Sequence, residues 1–344
     1  MKFRTKLISF IMLLAILTAV CVCFPYGALG ATEASDIRPK LIPGGRPFGI
    51  KFYMKGVAVI GVTDIETYDG LASPAKDAGI KKGDFITMVN GKELSDSDEL
   101  SKLINDSKGE KTVFTLKRGE AVTEVDVYPC RSSSDGLYKA GLWVRDSTAG
   151  IGTITYVNAE TNEFGGLGHG VCDAETGKTL PMQKGVVTNV TVTDVVKGLS
   201  NEPGEIRGEF SPFKAGVIEK NTECGVFGSL NDISAFTSEP MEICYSSELK
   251  TGKAYILTTI SGTVPAMFEI NITKINKGSG KTKNFTIEVT DSTLLRKTGG
   301  IVQGMSGSPV IQNGRLCGAV THVMINDPTR GYGIFIENML DAEK

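Results

Sequence analysis

Histidine is scarce in this chain: two residues in 344, His169 and His322. Neither stands at ligand spacing to a cysteine pair, which argues against a zinc centre. The same scarcity leaves two candidates for any step that needs an imidazole. No C-x-x-C occurs among the seven cysteines. Cys21 and Cys23 lie in an N-terminal apolar run, and the other five (Cys130, Cys172, Cys224, Cys244, Cys317) are odd in number and read as small buried residues, not as a disulfide framework. A basic excess is missing too, since 37 Lys and Arg face 39 Asp and Glu, so no nucleic-acid partner is expected. No metal or other cofactor is expected either. Long amphipathic helices are absent from residues 136–344, which leaves short strands as the building material there.

What is present begins with Lys2, Arg4 and Lys6, followed by an apolar run from Leu7 to Phe24. At about 18 residues the run lies between a signal-peptide core and a full membrane span. Ala28-Leu29-Gly30 supplies small residues for a cleavage site, so residues 1–30 are a signal peptide or a membrane anchor, with removal and retention both open. Either way the following chain is exported, and this segment is its link to the membrane. Residues 31–41 are a polar linker. From residue 42 to 130 the pattern changes to apolar strands, then Ser73-Pro74 opening a short helix that ends at Gly79, a Gly83-Asp84 turn, a strand over 85–89 closed by Asn90-Gly91, a helix over 97–105 and a strand over 112–117. This succession resembles a bacterial PDZ domain. The resemblance implies that an extended peptide adds to a sheet edge while a loop of free backbone amides, Phe48, Gly49 and Ile50, holds its carboxylate or a carbonyl.

Residues 136–344 are rich in glycine, threonine and valine, with apolar runs divided by polar turns. Many short strands over about 200 residues suit two small packed barrels, the architecture of chymotrypsin-like peptidases. The expected fold is thus mostly β: an N-terminal membrane segment, an α+β PDZ domain, then a double β-barrel. Within the last part lies GGIVQGMSGSPVIQNGRLCG, residues 299–318, in which Ser306 occupies the G-x-S-G-x-P frame of serine peptidases. A nucleophilic hydroxyl must project from a tight turn whose amides converge on one point, and small residues let a substrate carbonyl approach. Its base should be an imidazole. His169, in the glycine-dense stretch 165–170, is preferred over His322, which lies in an alternating strand. For a third, carboxylate member, Asp173, Asp194, Asp232 and Asp291 all remain open by spacing.

With Ser306 and His169 in these surroundings, a PDZ before them and one hydrophobic N-terminus, the chain resembles the SpoIVB peptidases of endospore-forming bacteria. The resemblance implies Asp291, fifteen residues before the serine, as the third triad member. Analogy with chymotrypsin-like folds implies an oxyanion hole from the amides of Gly304 and Ser306. It also places the floor of the specificity pocket near Gly300, with no acid to select lysine or arginine. The implied function is an exported serine endopeptidase of the forespore intermembrane space, membrane-anchored until it cuts its own N-terminal region. It would cleave a membrane-bound regulator of an intramembrane protease and so trigger processing of a sigma-factor precursor. The alternative is an exported PDZ scaffold with an inactive peptidase domain.

Overall fold

The computed structural model describes residues 38–172, 179, 182–278 and 280–344; the expected signal or anchor, most of the linker and Asp173 lie outside the described residues. After the short strand β1 (Lys40–Pro43), the alternation of the sequence produces one long element, β2 (Pro47–Val62). Phe48, Ile50, Phe52 and Met54 turn inward while Lys51, Tyr53 and Lys55 face solvent, the period of two that a strand imposes. Past Lys55 the same strand carries the sheet on into a second set of strands. There Val57 and Ala58 pair with Ile86 and Phe85.

That outer part of the sheet belongs to the PDZ domain, built from α1 (Pro74–Asp77), β3 (Phe85–Val89), α2 (Ser97–Asp106), β4 (Thr112–Arg118) and β5 (Ala121–Val127). Its core gathers Val57, Ile86, Leu100, Ile104, Phe114 and Leu116. Helix α2 starts where the Asp96 carboxylate accepts from the Glu99 amide at 2.8 Å, and Glu99 reaches back to the Ser95 amide at 3.0 Å, a reciprocal cap. The buried Asp84 of the expected turn is held in a fork by Arg118 at 2.6 and 2.7 Å, so its role is structural.

The chain returns through β6 (Leu142–Val157), again 16 residues long. Leu142 pairs with Val62 inside the PDZ sheet, and the ladder runs back along β2 to Thr153 opposite Pro47. The PDZ is therefore an insertion between two strands that belong to the next domain. Strands β7 (Glu163–Gly166), β8 (Met182–Val196), β9 (Glu205–Thr222) and β10 (Gly225–Leu230) follow. Pairing runs β6-β7-β10-β9-β8-β2 and back to β6, a closed ring of six. Phe48 meets Phe164 edge-on at 5.7 Å within it. Each such buried phenylalanine contributes on the order of 2–3 kcal/mol.

A second closed barrel, in ring order β11-β12-β13-β16-β15-β14, is made of β11 (Gly252–Thr258), β12 (Ala266–Ile275), β13 (Phe285–Val289), β14 (Pro309–Gln312), β15 (Arg315–Met324) and β16 (Asp327–Phe335). Helix α3 (Ser292–Thr298) follows β13, and α4 (Ile336–Glu343) closes the chain. The mostly β character, the PDZ and the two barrels follow the sequence expectation. The boundary between them does not, because β1 and the first half of β2, expected within the PDZ, are barrel strands. Correspondingly, Phe48, Gly49 and Ile50 form no open loop: Gly49 pairs with Ile151 on one side and Thr188 on the other, and Phe48 and Ile50 are buried. A strand paired on both edges has its amides committed to its neighbours, so it holds no peptide carboxylate. Among the described residues no helix is long and apolar enough to cross a membrane.

Candidate active site

The turn that presents Ser306 is fixed from the other barrel. Thr153 of β6 donates its amide to the Ser306 carbonyl at 2.9 Å and its hydroxyl to the Gly304 carbonyl at 2.8 Å. Two residues on, the Thr155 hydroxyl donates to the Gly307 carbonyl at 2.8 Å. Both threonines are fully buried. The amides of Gly304 and Ser306 have no acceptor among the described residues, as an oxyanion hole requires. Gly307 is obligatory here, since a Cβ would stand 1.9 Å from the Thr153 carbonyl oxygen. Sequence reading missed the two threonines. Their signal is two hydroxyls at a spacing of two on a face otherwise carrying Ile151 and Val157.

His169 arrives from β7. Leu167 and Gly168 both adopt left-handed conformations, with φ of 66° and 68°, and the turn they make carries the next residue into the space between the barrels. Nδ1 of His169 lies 2.9 Å from the Gly170 carbonyl, so Nδ1 carries the proton and Nε2 is left as the acceptor. Burial lowers the pKa of His169, opposed by that bond to Gly170.

His322 enters the same space from the second barrel. Between Val320 opposite Gly333 and Val323 opposite Gly331, β15 holds one residue more than β16, a bulge that re-aims Thr321 and His322. The two imidazoles stand with ring centroids 4.9 Å apart and planes inclined at 35°. Burial, then the fields of His169 and Lys283, push the pKa of His322 down to about 4. Ser306, Gly304, His169 and His322 all line one cleft of about 970 Å³, bordered also by Gln303 and by Glu120 from the β4–β5 turn of the PDZ.

Asp291 is elsewhere. Its carboxylate accepts from the amides of Thr293 and Leu294 at 2.8 and 2.9 Å, capping α3, and it does not line the cleft. Asp232 binds the amide and hydroxyl of Ser234 in an exposed loop, and Asp194 sits on β8. No carboxylate lies within ion-pair or hydrogen-bond distance of either imidazole among the described residues. Among the described residues no trio of His, Cys, Asp and Glu is placed to hold a metal ion.

Two protein families match the chain. The family described as SpoIVB peptidase S55 matches residues 136–340, and the PDZ domain family matches residues 49–128. A "probable periplasmic serine endoprotease DegP-like" from Brucella suis is 29% identical over 177 residues, 49% of this chain and 32% of the relative; the chain thus spans about a third of the length of the curated relatives it matches. Among solved structures, the PDZ domain of an SdrC-like protein from Listeria monocytogenes is 25% identical over 27% of this chain and 90% of that one, with a TM-score of 0.23. The active form of the Rv3671c protease from M. tuberculosis is 17% identical over 57% of this chain and 73% of that one, with a TM-score of 0.34.

Proposed function

We propose that this chain, which belongs to the SpoIVB peptidase S55 family through a match over more than half of its length, hydrolyses peptide bonds by way of an acyl-enzyme on Ser306. The observation that carries the reading is the cleft itself: a serine on a turn pinned by Thr153, two unpartnered amides beside it, and a neutral imidazole with a bare Nε2 in the same space. Ser306 attacks the scissile carbonyl as His169 takes its proton on Nε2. The oxyanion forms against the amides of Gly304 and Ser306, and His169 then returns the proton to the leaving amine. Water deacylates the enzyme by the same steps in reverse order.

Export is supported by the positive flank and apolar run at residues 1–24, and by the periplasmic relative. The finer role in this reading is the one the resemblance implies: anchored in the forespore intermembrane space, the enzyme cuts its own N-terminal region and a membrane-bound regulator of an intramembrane protease. A peptide groove in the PDZ suits delivery of such a substrate. It lies between α2 and the edge of β6 that faces away from β2, where residues 142–150 have no second strand partner among the described residues, and Leu100, Ile104, Leu142 and Val144 line a cavity of about 630 Å³. Labelling of the purified full chain by a fluorophosphonate probe, lost in both Ser306→Ala and His169→Ala, tests the chemistry. N-terminal sequencing after incubation tests self-cleavage.

One observation favours the scaffold reading. The hydroxyl of Ser306 donates to the Thr321 carbonyl at 2.7 Å and not to His169. A chain that resists the probe and cuts neither itself nor a peptide would be a PDZ scaffold.

A further inference from the structure

Two cysteine side chains meet in the core of the second barrel, and the peptidase chemistry uses neither. Leaving the first barrel, the chain passes Met241 and Glu242, which pair with Leu41 and Lys40 of β1, and then lays Ile243 parallel to Leu316 of β15. The Cys244 amide donates to the Leu316 carbonyl at 2.8 Å. In a parallel pair, the residues one step on from facing partners are neighbours again, on the opposite face. The packing follows that rule. Ile243 and Leu316 share one core cluster, with Cys224, while Cys244 and Cys317 share another, the one that holds Met305 and Val310. Both cysteines are buried, Cys244 at 5% and Cys317 at 1% exposure. The Cys317 thiol is hydrogen-bonded to that of Cys244, and this bond first, then burial, raises its pKa.

Neighbouring strands lie about 4.8 Å apart, inside the range of about 4.4 to 6.8 Å over which a disulfide can bridge two Cα atoms. Here both side chains also point into the same core. In an exported chain such a pair meets disulfide-forming conditions before it is buried. We infer that Cys244 and Cys317 form a disulfide in the exported protein, with Cys130, Cys172 and Cys224 left as thiols. This rests on the export reading and not on the assignment of nucleophile or base. The oxidant is a small-molecule or protein disulfide. The thiolate of one cysteine attacks it and releases one thiol, and the other cysteine then displaces the second thiol from the mixed disulfide. Two S–H bonds are thus replaced by one S–S bond, and the oxidant takes up the two electrons and two protons. Because the folded pair is buried and protonated, this exchange belongs to folding. The bond closes a loop that contains β11 to β14 and Ser306. It ties the segment held by β1 to the strand whose Val320 carbonyl accepts from the Gly307 amide. Neither cysteine lines the cleft, so the bond is a staple of the frame and no part of the chemistry.

The test is thiol mapping of the full chain, kept in mild detergent for its apolar N-terminus. Reduced, denatured chain is refolded in a buffer of glutathione and glutathione disulfide, quenched with acid, denatured and alkylated with iodoacetamide. It is then reduced and alkylated again with N-ethylmaleimide. Cys244 and Cys317 take only the second label, and a digest made before reduction yields their two peptides joined. Cys130, Cys172 and Cys224 take the first label. In Cys244→Ala or Cys317→Ala the remaining partner takes the first label too. The cross-linked wild type unfolds about 5 °C or more above the same chain with reductant, and neither alanine variant responds to reductant. Iodoacetamide on both cysteines of the refolded wild type, or either one joined to a different cysteine, overturns the inference. So does a pair found reduced in chain collected from outside the cytoplasm. A chain found only in the cytoplasm sinks the export reading instead, and the refolded sample still decides whether the two thiols join. No step of the mapping needs peptidase activity.

Discussion

The hydroxyl of Ser306 donates to the carbonyl of Thr321 at 2.7 Å, so the proton that must leave the nucleophile is held by β15. Catalysis requires the side chain to rotate off this carbonyl toward Nε2 of His169. Ser306→Ala should abolish probe labelling and also lower stability by about 1 kcal/mol, the worth of a buried hydrogen bond. Thermal unfolding beside labelling separates the two effects. An alanine variant as stable as wild type would mean the bond to Thr321 is not populated in solution.

Thr153 should matter for rate as well as for folding. Thr153→Val keeps the shape but leaves the Gly304 carbonyl without its donor, loosening the turn that holds the Gly304 and Ser306 amides in place. A fall of about 10²-fold in kcat is expected, with KM little changed. Thr155→Val, whose bond goes to Gly307, should cost about 1 kcal/mol in stability and less in rate.

Asp291 offers a clean separation of capping from catalysis. Asparagine caps a helix about as well as aspartate, and alanine does not. Asp291→Asn should therefore retain both stability and kcat, while Asp291→Ala loses about 1 kcal/mol in denaturant titrations. A large loss of kcat in the asparagine variant, with unfolding unchanged, would instead mean that the carboxylate reaches His169 during turnover.

Acid should weaken the fold through the imidazole pair. Both histidines have folded pKa values below their ordinary 6.5, His322 down to about 4. Below pH 6.5 the unfolded chain binds protons that the native chain refuses. Stability is therefore unaffected by this pair above 6.5, is lost as pH falls below it, and stops falling on account of His322 near about pH 4. Tm measured at about pH 4.5 should lie below Tm at neutral pH, and His322→Phe should narrow the gap.

The single tryptophan of the chain, Trp143, stands largely exposed at the PDZ groove. A peptide ending in an apolar residue should shift its emission to the blue on binding. Ile104→Arg, which puts charge on the α2 wall of the groove, should remove the shift. An unchanged spectrum with saturating peptide would locate binding elsewhere.

The strand-rich barrels, and the two residues expected at the site that share one cleft, Ser306 and His169, each have a local signature: apolar runs of strand length, a glycine-framed serine, a histidine among glycines. The PDZ was legible from its helix and turn signals. What was not legible depended on register. Nothing local marks where β2 passes from the barrel strands to the PDZ strands, since its alternation continues through Lys55 and Gly56 without a break, and so Phe48 to Ile50 read as a loop. The β15 bulge that turns His322 into the cleft exists only through pairing with β16.

Because β2 and β6 run unbroken from barrel into PDZ, Lys40–Lys344 make one compact unit, and neither domain ends where its family match ends. A fragment starting at residue 136 would lack a stave of its own barrel. Recombination could exchange this PDZ for another only by cutting both strands at facing rungs, such as Tyr53 and Ser147, so that the ladder re-forms in register. Its ancestry should accordingly track that of the peptidase, with the two parts inherited together.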